Sequence, residues 1–339
     1  MQITVLSGGV GGARFVRGLV RAVAERPRTD GARITVIGNT GDDITLFGLR
    51  VCPDLDTILY TLGGAVDEEQ GWGREGDGRE LMGELAALGV EPGWFGLGDR
   101  DLGTHVARSL WLGQGLSLSD VTRRLARRWG LPEQGVELLP ATDTPIETHV
   151  VVDDGDGERA LHFQEWWVRH RASLPARRFT VAGLGQAVAA PGVLEAIRSA
   201  DVVLLPPSNP VVSIGIILGV PGVREALRGT RAPVVGVSPI VGGRPVRGHA
   251  DACLAPLGVE PSADGVAGLY ADLLDGWLVH HGDEVDRRSV PARVTVRPDD
   301  ILMRDPSGAA RVAGAALDLA LTLRPSGEAP GTGVTERSA

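Results

Sequence analysis

The sequence predicts an α/β fold, a doubly wound, mainly parallel, Rossmann-like sheet carrying an inserted, mostly helical subdomain. Three observations predict it. The opening "MQITVLSGGVGGARFVRGLVRAV" reads as strand, glycine turn and amphipathic helix, with Phe15, Val16, Leu19 and Val20 on one side. From Arg178 onward, short apolar strands again alternate with helical segments. Crossovers of that kind return the chain to the same sheet end, which makes the sheet parallel. Between these halves, residues 67–174 lose the rhythm.

The elements follow in order. "ARITVIGN" is the second strand. "GRELMGELAALGV", "LGTHVARSLWLG" and "LSLSDVTRRLARRWG" read as helices, and "ETHVVVDDGDGERALHFQE" as a polar, hairpin-like pair. "FTVAG", "DVVLLPPS", "APVVGVSP" and "GWLVH" then read as strands. The helices between them are "PGVLEAIRSA", "VVSIGIILG", "PGVREALRG" and "SADGVAGLYADLLD". This places a Rossmann-like core at 1–66 and 175–323, the insert at 67–174, and a disordered tail rich in Gly, Pro, Ser and Thr at 324–339.

Composition excludes several classes. A hydrophobic content of 43% in 339 residues is that of an ordinary globular chain. No apolar run reaches the roughly 18 residues of a membrane span, and a strand beginning at Gln2 leaves no secretory leader expected. Cys52 and Cys253 stand alone, so neither a disulfide framework nor a cysteine metal cluster is expected. Together these point to the cytoplasm. The net charge of −9 argues against nucleic acid as partner. The chain contains no lysine, so all 34 basic residues are arginine. Any phosphate must then be held by arginine, backbone N–H groups, hydroxyls or a metal.

Loops at the carboxyl ends of strands carry the chemistry. "SGGVGGAR" offers Gly8, Gly9, Gly11 and Gly12 at a helix start, with Arg14 one turn in, an arrangement suited to an anion. The doubled glycines are not the spaced dinucleotide fingerprint, and Asn39 stands where a ribose-binding acid would end the second strand. That disfavours a nicotinamide-dependent oxidoreductase. In "GNTGDDITLFGLRVCPDLDTILYTLGG", Asp54 and Asp56 fit the start of a helix, Asp54 as its cap. Asp42 and Asp43 precede no evident helix. Adjacent carboxylates there suit a hard divalent cation, or else a solvated loop.

"GLGDRDLGTH" groups Asp99, Arg100, Asp101 and His105, with Asp101 a candidate helix cap. "HFQEWWVRHR" sets Trp166 and Trp167 together, as a platform for a flat ligand, a dimer contact or core packing. "PPSNPVVSIG" supplies Ser208, Asn209 and Ser213 near a helix start, and "SPIVGGRPVRG" adds Arg244 and Arg247. Such loops fall in the crevice where doubly wound sheets bind ligands. No serine elbow, zinc-helix motif or cysteine nucleophile is present, so direct transfer on a phosphate-bearing ligand is expected rather than a covalent protein intermediate.

These motifs, with "DGWLVH" and the "GWG" of residues 71–73, resemble collinearly the 2-phospho-L-lactate transferase family of coenzyme F-420 biosynthesis, in its actinobacterial, phosphoenolpyruvate-transferring branch. The resemblance implies a Mg²⁺-dependent transfer from a guanosine-diphospho donor to the ribityl hydroxyl of 7,8-didemethyl-8-hydroxy-5-deazariboflavin, with release of GMP. It implies Asp42 and Asp43 as metal ligands and, with Arg100, as catalytic residues. Asp56, Thr57, Gly96, Asp99 and Trp166 would meet the deazaflavin. Gly8, Gly9, Gly11, Gly12, Arg14, Ser208, Asn209 and Ser213 would hold the guanosine diphosphate. A homodimer is usual for the family. The alternative is a non-catalytic, nucleotide-responsive protein of the related cell-shape and carbon-metabolism group. The transferred three-carbon acid is left open.

Overall fold

The computed structural model describes residues 1–324 except 27, 28, 30, 154, 156 and 287, so the predicted tail lies outside the described residues apart from Arg324. Seven strands form the central sheet in the order Thr295–Asp299, Gly276–His280, Val234–Val237, Val202–Leu205, Gln2–Ser7, Arg33–Gly38, Val136–Pro140. Every neighbouring pair is parallel. Residues 3–7 of the first strand are all buried, as in a sheet covered on both faces.

One face packs under helices Gly9–Ala24, Pro53–Leu62, Leu118–Arg128 and Pro306–Leu323, whose Phe15, Leu19, Ile58, Val121 and Val312 share one core with the strands. The other face packs under Val193–Arg198, Gly215–Gly219, Val223–Gly229 and Ala263–Leu269, around Ile197, Ile217, Leu227 and Trp277. No single described helix is long and apolar enough to cross a membrane. The bent pair Pro210–Gly219 and Val223–Gly229 reaches that length and apolarity only jointly, and its Ile214, Ile217, Leu218, Val223 and Leu227 are buried in this core.

Two expectations are corrected. Residues 67–174 are not separate from the sheet, because Val136–Pro140 pairs in register with Arg33–Gly38 as an edge strand. "FTVAG" does not resume the sheet either. It lies in Ala176–Ala182, which pairs antiparallel with Glu147–Asp153, itself paired with Glu158–His162. Alternating patterns specify a strand but not its partner, so the sequence could not tell this small sheet from the large one.

The chain runs outward from the first strand to Val136–Pro140, then crosses back to Val202–Leu205 on the opposite side. The switch point therefore lies between Gln2–Ser7 and Val202–Leu205, where a crevice opens beyond the strand ends.

Candidate active site at the sheet switch point

The two loops flanking the switch point are fastened together. Ser208 Oγ donates to the Gly8 carbonyl at 2.8 Å and accepts from the Gly8 N–H at 3.2 Å. Gly8 has no room for a side chain: a Cβ there would lie 2.6 Å from Asp54 Oδ2 and 2.7 Å from Ser213 Cβ. Gly9, at φ 64°, turns the chain into the first helix. Gly11 is pressed against the Pro207 carbonyl and Gly12 against Ser208 Oγ; a Cβ on either glycine would lie 2.6 Å from that oxygen. Asn209 caps the π-helical turn Pro210–Ile214 by accepting from the Val211 and Val212 N–H groups at 2.9 and 3.1 Å. The hydroxyl of Ser208 and the carbonyl oxygen of Asn209 thus hold the crevice in shape.

Asn39 follows the second strand, fully buried, and organises the acids. Its amide nitrogen faces Asp54 Oδ2 at 2.8 Å, the Val212 carbonyl at 3.1 Å and Asp42 Oδ1 at 3.2 Å. Its oxygen accepts from the Gly41 N–H at 3.0 Å. Two amide hydrogens serve three acceptors. Asp54 is not the predicted cap. Cys52 occupies that position, and Asp54 sits inside the first turn, where its carboxylate accepts from Asn39 and the Gly9 N–H. The helix N-terminus still favours its charge.

Burial, foremost, holds the carboxyls of Asp42 and Asp54 above the usual range, and the charge of Asp54 raises Asp42 further. Burial pushes Asp43 up to about 7, opposed by Arg50 and the Cys52 thiol. Cys52 Sγ donates to Asp43 Oδ2 at 3.0 Å, and Arg50 Nη2 lies 3.6 Å from the same oxygen. Asp43 Oδ1 is buried without a protein partner, as are the hydroxyls of Thr40 and Thr148. Among the described residues, no three His, Cys, Asp or Glu side chains converge as a metal cage. Two carboxylates with an unused oxygen fit a hard cation that keeps waters and substrate oxygens.

The folded protein keeps the Asp43 proton to about pH 7, whereas an unfolded aspartate loses it near 4. The folded state therefore binds more protons between those values. The stability contributed by this group is full below pH 4 and lost as pH rises through 7. Asp43→Asn is expected to gain stability relative to the wild type across that window. Urea midpoints at pH 4.5 and 8 without divalent cation measure it, and a pH-independent difference would contradict the assignment.

The "HFQEWW" motif grips this loop. His162 Nε2 lies 3.2 Å from the Asp43 carbonyl, while Nδ1 accepts from the Gln164 N–H at 3.1 Å, which assigns the proton to Nε2. Gln164 Nε2 donates to the Asp42 carbonyl at 3.4 Å. Trp166, by contrast, is not a ligand platform. It is fully buried with Val150, Phe163 and Val212, and its Nε1–H donates to the Leu174 carbonyl at 2.8 Å. Trp166→Phe is expected to cost about 1–3 kcal/mol by leaving that carbonyl unpaired. The KM for the acceptor should stay unchanged; a tenfold rise at unchanged stability would restore the platform role.

The "GDRD" segment also differs from expectation. Asp99 accepts from the Glu80 and Leu81 N–H groups, both at 3.0 Å, and so caps helix Glu80–Ala87. Asp77 in return caps helix Asp99–Gly113, accepting from Arg100 at 2.7 Å and Asp101 at 2.9 Å. Gly78 and Gly98 leave room for those two carboxylates. Asp99 is thus committed to the fold, and Asp101 is not a cap; it accepts from the Tyr60 hydroxyl. Arg100 is exposed, and its described bonds use its N–H and carbonyl. The arginines that reach the acids are Arg50 and Arg108, which sequence reasoning missed.

Arg108 is only 1% exposed and pairs with both oxygens of Asp56. Burial is the largest single influence and lowers its proton affinity, but Asp56, Cys52 and Tyr60 together raise it by more. Thr57 is buried beside Asp56 in the same helix. His105 Nδ1 lies 3.3 Å from Arg108, and Nε2 lies 3.3 Å from Asp101 Oδ2, too far off line for a hydrogen bond. Gly96, Gly98 and Asp101 line a cavity of about 130 Å³ with Trp72, Arg74 and Arg79.

A family model described as 2-phospho-L-lactate transferase CofD matches residues 3–311. The chain belongs to this family. It is 59% identical to the phosphoenolpyruvate transferase of Thermobifida fusca over 96% of this chain and 99% of the relative. The proteins of that name from Streptomyces griseus and Mycolicibacterium smegmatis are 55% and 51% identical, over 96% and 94% of this chain and 100% and 99% of theirs. The structure resembles that of protein BH3568 from Bacillus halodurans, with a TM-score of 0.61 and 20% identity, covering 93% of this chain and 99% of that one. At that identity the likeness shows the fold alone. As a CofD-family transferase of coenzyme F-420 biosynthesis, the protein has its acids, glycine turn and serine loop around one switch-point crevice.

Proposed function

We propose that this protein transfers a phosphoenolpyruvyl or 2-phospholactyl group, with Mg²⁺, from a guanosine-diphospho donor to the ribityl hydroxyl of 7,8-didemethyl-8-hydroxy-5-deazariboflavin. The products are dehydro-F-420-0 or F-420-0, and GMP. The observation that carries this reading is the buried Asp42–Asp43 pair, with an unpartnered carboxylate oxygen, beside the glycine turn. The relatives named phosphoenolpyruvate transferase favour enolpyruvate as the group moved. Nothing in the site favours the non-catalytic alternative.

Asp42 and Asp43 would hold the metal, which supplies charge neutralisation at the diphosphate when bound. Asn39 holds the Asp42 carboxylate, and His162 and Gln164 hold the backbone carbonyls of Asp43 and Asp42, which fixes the loop that carries both acids. The acceptor oxygen bonds to the phosphorus bearing the acid, the bond from that phosphorus to the bridging oxygen breaks, and the hydroxyl proton passes to the acid pair. The cavity beside Gly96 and Asp101 is where the deazaflavin ring would lie, with Trp72 and two arginines around it. The glycine turn, Arg14 and Ser213 would face the donor. We place the enzyme in the cytoplasm as a homodimer, which light scattering tests.

Purified protein, deazaflavin and each of the enolpyruvyl, lactyl and glyceryl donors, with Mg²⁺ or with EDTA, test the reaction by mass detection of products. The enolpyruvyl product with Mg²⁺ alone is expected. No product from any donor would refute the proposal.

A further inference from the structure

We infer that Arg247 and Arg14 form a clamp for an anionic group of the donor at the rim of the switch-point crevice. The inference rests on the proposed function and adds a residue to it. Arg14 lies on helix Gly9–Ala24 after the first strand, and Arg247 on the loop after Val234–Val237, so they approach from opposite sides of the Ser208 loop. They meet at one segment. Arg14 Nη2 donates to the Glu68 carbonyl at 2.9 Å, and Arg247 Nη2 donates to the carbonyl of Gln70. The next residue, Gly71, is buried against the first turn of the helix. A Cβ on it would lie 2.6 Å from Val10 Cγ1 and 3.4 Å from Arg247 Nη2.

A neutral carbonyl is a weak partner for a guanidinium, which has five N–H donors arranged as a fork for oxyanions. The acid that acts on Arg14 does not serve this need, since both oxygens of Glu68 are taken by Arg17. The two carbonyls they hold are two residues apart on one segment, and burial and then the charge of Arg247 lower the proton affinity of Arg14. Beneath the same helix turn, the Ser7 hydroxyl is fully buried without a partner, close to where Gly12 lacks a side chain. Converging arginines, an unused buried hydroxyl and the N-terminus of a 16-residue helix favour one occupant, a phosphate or carboxylate. The donor carries both.

Arg247→Gln, Arg247→Lys and the remote surface control Arg123→Gln, each checked for an unchanged melting temperature, are titrated with GDP and GMP and assayed for donor KM and kcat. Arg123 lies on helix Leu118–Arg128 and pairs with Asp120 at the surface. Arg247→Gln is expected to raise the Kd for GDP or the KM for the donor about 10–100-fold, with a smaller effect on kcat. Lysine should recover part of the loss, and Arg123→Gln should show none. A larger loss for GDP than for GMP assigns the clamp to the diphosphate. An unchanged GDP affinity with a raised donor KM assigns it to the carboxylate of the acid. Values within twofold of wild type in both measurements overturn the clamp, as does an equal loss in Arg123→Gln. A wild-type protein that binds neither GDP nor donor overturns the proposed function and the clamp together.

Discussion

Asp43→Asn and Asp42→Asn are each expected to reduce turnover by at least about 10²–10³-fold while leaving the fold intact. Asn39, His162, Gln164, Arg50 and Cys52 hold the two acids, and an isosteric amide keeps most of those contacts. What it removes is a buried negative charge that costs stability, since Asn39 offers Asp42 only an amide dipole and Arg50 stands 3.6 Å from Asp43. Melting temperatures without divalent cation should therefore be equal to or above that of the wild type, the usual sign of a site strained for function. Added Mg²⁺ should raise the wild-type melting temperature by mass action and leave that of the variants unmoved. Turnover within threefold of wild type in both variants would remove these carboxylates from the chemistry.

Arg108→Met should show the opposite separation, a large loss of stability. The guanidinium is 1% exposed and answers both oxygens of Asp56, itself 4% exposed. Methionine fills much of the volume but leaves Asp56 buried and unpaired, at a cost of roughly 3–5 kcal/mol. The melting temperature should fall by on the order of 10 °C. Removing the orphaned charge as well, in Arg108→Met with Asp56→Asn, should recover part of the loss, because the two effects are coupled. A single variant within about 1 kcal/mol of wild type would show that the pair contributes little. Since Asp56 lies two residues from Asp54 on helix Pro53–Leu62, this pair also ties helix Asp99–Gly113 to the acid centre.

Several features were legible in sequence for local reasons. The glycine turn, the acid loop and the serine loop each directly follow a strand, so a parallel sheet brings their backbones to one edge whatever the side chains do. Asn39 was visible at its strand end, but its role was not, since three acceptors surround it only once Val212 arrives from 173 residues away. Trp166 and Asp99 misled because aromatic and acidic residues near glycines read alike whether they serve ligand or fold. The hidden partners were Leu174 for Trp166 and the start of helix Glu80–Ala87 for Asp99.

By itself the sequence determined the α/β alternation, the loops that reach the crevice and a supply of basic side chains made of arginine without lysine, because each depends on near neighbours or on composition. Tertiary structure decided which carboxylates stay free. Asp54 is held by Asn39, Asp56 by Arg108 and Asp99 by a helix start, while Asp43 keeps one buried oxygen without a partner. Burial and pairing across distant segments set that division, and no local pattern encodes it.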